Sequence, residues 1–463
     1  MGTVTHVVII GGGPGGYEAA LVAAQLGADV TVVVQDGLGG STVLTDCVPS
    51  KTLIATADAM SATARSASLG VRLPDSAAGS LSVDLSAVNA RIKRLAAAQS
   101  SDIADSLATA GVTVIPGIGR LVSANQVRVS VGGKEQELSA DVVLLATGAR
   151  PRLATDAMPD GERILTWEQL YDLPDLPTRL IVVGSGVTGA EFASAYRSLG
   201  SDVVLVSSRD RVLPGEDADA AAVIEDVFAR NGVTVMSRSR AVSAHRVADG
   251  VNVTLADGSV VSGSHCLMAI GSVPNTEDLG LAAVGVHVSE QGFIEVDKVS
   301  RTNVRGVYAA GDCTGVLMLA SVAAMQGRIA MWHALGDAVH PLNLQTVSST
   351  VFTDPEIATV GITQEDVDLG RVDAVAIHLP LGGNARAKMQ DIGDGFIKIF
   401  ARSDSHTVLG AVVVGPRASE LIYPLTLAVE NRLTVDNLAS TFTIYPSLTG
   451  SIAEAARRLH TQH

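Results

Sequence analysis

Short, continuous apolar runs alternate along this chain with stretches in which alanine, valine and leucine recur at helical spacing. The run VVII ends in glycines, passes into an alanine-rich helical segment and returns to a second apolar run, ADVTVVV. Almost the same order recurs about 170 residues later, at TRLIVVGSGVTGAEFASAYRSLGSDVVLV. An apolar run bounded by turn residues predicts a strand buried on both faces, and strand, glycine turn, helix and strand in that order predict a parallel sheet. Residues 81–110 have helical spacing with polar breaks, and 141–148 return to a strand. The Pro- and Asp-rich ATDAMPDGERILTWEQLYDLPDLPTR reads as a connection. Beyond about residue 340, STVFTDPEIATVGIT and GFIKIFARSDSHTVLGAVVVG, followed by two closing helices, predict an antiparallel sheet with helices. The class is α/β, with two Rossmann-like units and a C-terminal α+β unit.

Composition sharpens this picture. At 463 residues the chain exceeds one core. Hydrophobic residues make up 47% but aromatics only 3%, so the interior is built from small and branched aliphatics. The net charge of -15 argues against a sequence-independent grip on nucleic acid and against a polybasic membrane anchor. Cys47, Cys266 and Cys313 form neither a disulfide framework nor a metal set, which suits a reducing compartment. No signal-like start and no run of roughly 18 apolar residues is present. The expectation is a soluble, cytoplasmic protein.

Gly11, Gly13 and Gly16 follow the first apolar run and open a helix. This spacing serves a dinucleotide: the first glycine makes the tight turn, the second lets backbone approach a pyrophosphate, and the third lets helix and strand pack closely. Amides at the helix start then face the negative charge. Asp36, just past the second strand, either bonds an adenosine ribose or is an ordinary turn aspartate. The second unit repeats the pattern with Gly184, Gly186 and Gly189. After its second strand come Ser207, Ser208, Arg209, Asp210 and Arg211, with no carboxylate at the strand end. A carboxylate there would hold a ribose 2′-hydroxyl and repel a 2′-phosphate, so NADPH is favoured over NADH.

Taken with these glycines, ATG at 146–148, VYAAGD at 307–312, GSVPNT at 271–276 and VFTDPEIATVG at 351–361 run in the order of one family. The chain resembles the flavoprotein disulfide reductases, the family of dihydrolipoamide dehydrogenase and glutathione reductase. The resemblance implies an FAD-binding domain over 1–150 with a return segment at 281–340, an NAD(P)-binding domain over 151–280, and a dimerisation domain over 341–463, assembled as a homodimer. It also implies cofactor contacts at Thr147, Gly148, Gly271 and Gly311, and places Asp312 at the flavin ribitol. A helix from about Leu319 would point its start at the isoalloxazine. Lys51 and Glu191 match a pair that the family holds near the flavin and the nicotinamide.

The chain departs from the family where disulfide chemistry resides. Against the family pattern GG-x-C-x-x-x-x-C-x-P-S-K, Thr42 stands at the first cysteine and Cys47 at the second. A threonine hydroxyl cannot replace an attacking thiolate. Against the family's terminal H-P-T-x-S-E, Tyr445 replaces the histidine and Gly450 the glutamate. Tyrosine ordinarily titrates near pH 10 and glycine has no side chain, so the acid-base couple is gone. Cys47 then remains either as a thiol facing the flavin or as a small apolar filler. Cys266 reads as core and Cys313 as a turn residue beside Asp312. The resemblance therefore implies an FAD-dependent NAD(P)H:quinone oxidoreductase, like those of actinobacteria, with Lys51, Glu191, Cys47 and Tyr445 as its catalytic residues and the acceptor between Cys47, Lys51 and the partner subunit's Tyr445. A soluble pyridine nucleotide transhydrogenase and a regulatory dihydrolipoamide dehydrogenase-like protein are the alternatives.

Overall fold

The computed structural model describes residues 4–72 and 81–460. Its contacts divide the chain into two units. One gathers the chain up to Thr52 with Asn89–Arg152 and Gly271–Asn343; the other takes the stretch from Leu53, Leu153–Ile270 and the chain from Leu344.

The first unit centres on a five-stranded parallel sheet in the order Val307–Ala309, Val142–Leu145, His6–Ile10, Asp29–Val34, Thr113–Pro116. Its central strands are apolar on both faces because helices lie on one side and a small antiparallel sheet on the other. The helices Pro14–Gln25 and Ala320–Ala334 cross at Gly15 and Gly327, where a Cβ on Gly327 would strike the Gly15 carbonyl oxygen. Only hydrogen side chains allow that approach. The last of these helices begins one residue after Leu319, its N-cap.

The second unit repeats the parallel design in the order Thr234–Met236, Asp202–Val206, Arg179–Val183, His265–Met268, Ile164–Leu165. The same unit contains an antiparallel sheet ordered Ser348–Val351, Glu356–Gly361, Val408–Gly415, Phe396–Arg402, Ala374–Pro380, packed against Ala418–Glu430 and Gly450–His460.

Two expectations need correction. The segment read as a connection supplies the edge strand Ile164–Leu165 and a 3-10 turn, Trp167–Asp172, with a Thr166/Gln169 capping box. Two residues are too short to show any period. The chain closes with three helices rather than two, because Val435–Ser440 forms a short one of its own. Two small antiparallel sheets, over 118–139 and 241–263, were not anticipated, although QVRVSV and GVNVTL alternate apolar and polar residues. Lys134–Ser139 in the first is exposed nearly throughout and so has no apolar face to read.

Candidate dinucleotide sites and the altered redox centre

Local backbone geometry gives the two glycine fingerprints the same shape. Gly11 and Gly184 both adopt φ +112, a left-handed conformation that a side chain would strain, and a Cβ on either would strike the next strand's carbonyl, that of Ala146 or Ala269. A Cβ on Gly16 would fall on the Gly11 carbonyl oxygen, and one on Gly189 on that of Gly184. Gly13 and Gly186 differ from both. Around a Cβ on Gly13 the nearest atom is the Gly40 Cα at 4.0 Å, and around Gly186 nothing lies within 4 Å. Two glycines in each unit are thus demanded by the chain's own packing, and the third presents bare backbone at a helix start. That is the fit expected for a pyrophosphate.

Beyond the first fingerprint, Thr147 and Gly148 are tied to the GSVPNT loop. Thr147 Oγ1 donates to the Asn275 carbonyl at 2.7 Å, Asn275 Nδ2 donates back to the Thr147 carbonyl at 3.0 Å, and the Asn275 amide donates to the Gly148 carbonyl at 3.0 Å. Gly148 and Gly271 take positive φ. Asp312 opens the 3-10 turn Asp312–Thr314, where burial, and after it the charge of Asp46, raises its carboxyl to about 6. A nearly fully buried glutamine shapes this turn. Gln326 Oε1 accepts the Gly311 amide at 2.8 Å and its Nε2 donates to Thr314 Oγ1 at 3.3 Å. Sequence reasoning missed both Asp46 and Gln326, although an amide in the apolar helix ASVAAMQGRIAMW was a usable signal. Asp36 is exposed just past the second strand.

Cys47 is the first residue of the helix Cys47–Arg65 and is half-buried. Thr42 lies in the short helix Gly40–Leu44 before it, and Lys51, also half-buried, lies one turn further on. Cys266 and Cys313 are fully buried, and burial pushes their thiols up to about 12 and about 11. All three cysteines are thiols. Glu191, in the second unit, is 3% exposed and accepts the Phe352 amide at 2.9 Å, while Ser194, one turn on, accepts the Asp354 amide at 3.2 Å. Tyr445 is exposed, alongside Phe442 and Ile444.

In the second unit Gly184, Ser208 and Arg209 line a cavity of about 570 Å³. Glycine turns of this shape in a doubled parallel fold match a known family model. Pyridine nucleotide-disulphide oxidoreductase matches residues 5–327, and the dimerisation domain of that family matches 347–456. The chain belongs to the pyridine nucleotide-disulphide oxidoreductase family. Its members use FAD and NAD(P)H. Among curated relatives, the NAD(P)H dehydrogenase (quinone) of Mycobacterium tuberculosis is 55% identical, with 98% of this chain and 94% of that protein covered. Dihydrolipoyl dehydrogenase 2 of Haloarcula marismortui is 34% identical, with 98% and 96% covered. The crystal structure of LpdA from Mycobacterium tuberculosis superposes with a TM-score of 0.94 at 55% identity, covering 98% of this chain and all of that one. Among the described residues no helix is long and apolar enough to cross a membrane.

Proposed function

We propose that this protein is an FAD-dependent NAD(P)H:quinone oxidoreductase that works without dithiol chemistry. The carrying observation is the cysteine inventory: a threonine, Thr42, stands where the family has its attacking cysteine, and Cys266 and Cys313 are sealed in the core. The similarity to a quinone-reducing dehydrogenase over nearly its whole length supports the reading. FAD, when bound, supplies acceptance of a hydride and return of the electrons to an acceptor.

The chain's own residues do the rest. Gly11, Gly13 and Gly16 shape the turn that would hold the FAD pyrophosphate, Thr147, Gly148, Gly311 and Asp312 would hold the remainder of that cofactor, Asp36 would meet its adenosine ribose, and Gly271 would contact a cofactor. Gly184, Gly186, Gly189, Ser208 and Arg209 hold the nicotinamide nucleotide. Lys51 supplies positive charge where electron density arrives. Glu191 is fixed by the Phe352 amide and Cys47 by the start of its helix. Tyr445 offers an aromatic face to the acceptor. We assign FAD binding to 1–150 and 281–340, NAD(P) binding to 151–280 and dimerisation to 341–463. Exposed Phe442, Ile444, Tyr445 and Tyr423 within the dimerisation segment support a homodimer, and the reading places it in the cytoplasm.

An anaerobic titration with NADPH tests the function. One equivalent bleaches the flavin without a long-wavelength charge-transfer band, and a soluble quinone, but not oxidised lipoamide, restores the oxidised spectrum. A stable charge-transfer species reoxidised by lipoamide would refute it.

A further inference from the structure

Two segments meet at the rim of the second unit's cavity, and backbone hydrogen bonds hold them together. The Arg238 amide donates to the Arg209 carbonyl at 2.9 Å and the Ser239 amide to the Ser207 carbonyl at 2.7 Å. The Arg240 carbonyl accepts the Ala256 amide at 2.8 Å, which fixes the far side of this rim to the neighbouring hairpin. Arg209 and Arg240 both line the cavity, each preceded by a serine, Ser208 and Ser239, that lines it too. No carboxylate does.

The surrounding charges are otherwise committed. Asp210 accepts from Arg238 at 2.8 Å, and Arg211 donates to the Pro214 and Glu216 carbonyls. Among the described residues, the guanidinium groups of Arg209 and Arg240 have no ion pair or hydrogen bond. Deeper in, Val206, Ala241, Val253 and Met268 make an apolar wall. A cavity with an apolar wall, two exposed guanidiniums and two serine hydroxyls in its lining matches an adenosine bearing an extra phosphate on its ribose.

We infer that the second unit selects 2′-phosphorylated adenine nucleotide, and that Arg240, from the segment after the third strand, completes a two-sided phosphate clamp with Arg209. This rests on the reading of the protein as an NAD(P)H dehydrogenase, and it specifies which of the two nucleotides is used. Sequence position would not have found it, because Arg240 lies more than thirty residues beyond the serine-arginine pair after the second strand.

Calorimetric titration of the purified holoenzyme with 2′,5′-ADP and with 5′-ADP isolates the phosphate from the redox reaction. Wild type binds 2′,5′-ADP at least about tenfold more tightly, or about 1.4 kcal/mol. Arg240→Gln removes most of that ratio while 5′-ADP affinity stays within about twofold. Arg238→Gln, the same charge change on a side chain already paired with Asp210, keeps the ratio. Equal affinity of the two nucleotides for wild type, an equal loss of both in Arg240→Gln, or the same loss in Arg238→Gln would each overturn the inference. A protein that shows the expected ratio yet fails to reduce quinones would overturn the functional reading and leave the clamp standing.

Discussion

Lys398 is a buried cation in the strand Phe396–Arg402, which is otherwise apolar up to its exposed last residue, Arg402. It is 3% exposed, and its Nζ lies 3.0 and 2.8 Å from the two Asp217 carboxylate oxygens and 2.6 Å from Asp219 Oδ2. Asp217 is equally buried and also caps the helix Ala218–Arg230, accepting the Asp219 and Ala220 amides at 3.0 and 3.2 Å. Replacing Lys398 by Met keeps the volume but strands the Asp217 charge, for which a loss of about 3–5 kcal/mol is expected. Asp219 is largely solvated and adds little to that figure. In the double variant Lys398→Met/Asp217→Asn the neutral amide still caps the helix and no charge is stranded. Its loss should therefore fall to about 1–2 kcal/mol, with a coupling of at least about 2 kcal/mol.

The two tryptophans make the assay specific, since Trp167 lies in the same unit and Trp332 in the other. In a Trp332→Phe background, urea unfolding followed by Trp167 fluorescence reads that unit alone. A coupling below about 0.5 kcal/mol, or a Lys398→Met protein as stable as its parent, would refute the reasoning. Lys398 also holds the Asp219 carboxyl below the ordinary range, first through the hydrogen bond it donates and then through its charge. A depressed carboxyl contributes stability that is present above its unfolded value and lost as pH falls through its folded one, so this contribution persists down to about pH 4.

The glycines separate packing from ligand contact. Gly186→Ala should leave the melting temperature and flavin content unchanged while weakening nicotinamide nucleotide binding about tenfold or more, whereas Gly189→Ala, whose Cβ would strike the Gly184 carbonyl, should lower expression and the melting temperature sharply. Ellman's reagent should titrate one thiol in the native protein, Cys47, and three in denaturant; rapid reaction of a second native thiol would contradict the burial of Cys266 and Cys313. Asp58 has its carboxyl raised to about 6, by burial first and then by Asp354 and Glu356. A raised carboxyl contributes stability that is full below its unfolded value and lost as pH rises through the folded one. Asp58→Asn should accordingly gain on wild type in urea midpoint as pH rises from 4 to 7, and a gap independent of pH would count against that environment.

Much of the architecture could be read from the chain because it depends on local rules. A glycine that must take positive φ, or whose missing Cβ lets a helix touch a strand, is required by the residues on either side of it. Gly11 and Gly184 announce their turns by their positive φ, although the carbonyls that a Cβ there would also strike, Ala146 and Ala269, come from distant parts of the chain. The same holds for apolar runs buried on both faces, such as His6–Ile10 and Arg179–Val183, and for the loss of chemistry at Thr42, where the side chain alone decides what the position can do. The features that escaped are meetings of distant residues. Gln326 reaches back to Gly311, Asp46 lowers the acidity of Asp312, Lys398 neutralises Asp217 across 181 positions, and Arg240 joins Arg209 at one rim. Asp46 and Arg240, taken alone in the sequence, have the composition of a solvated surface, and the apolar neighbours of Gln326 and Lys398 mark those two as buried without naming a partner. Their roles depend on burial and on the partner brought opposite, and both are set by how sheets and helices pack rather than by any spacing along the chain.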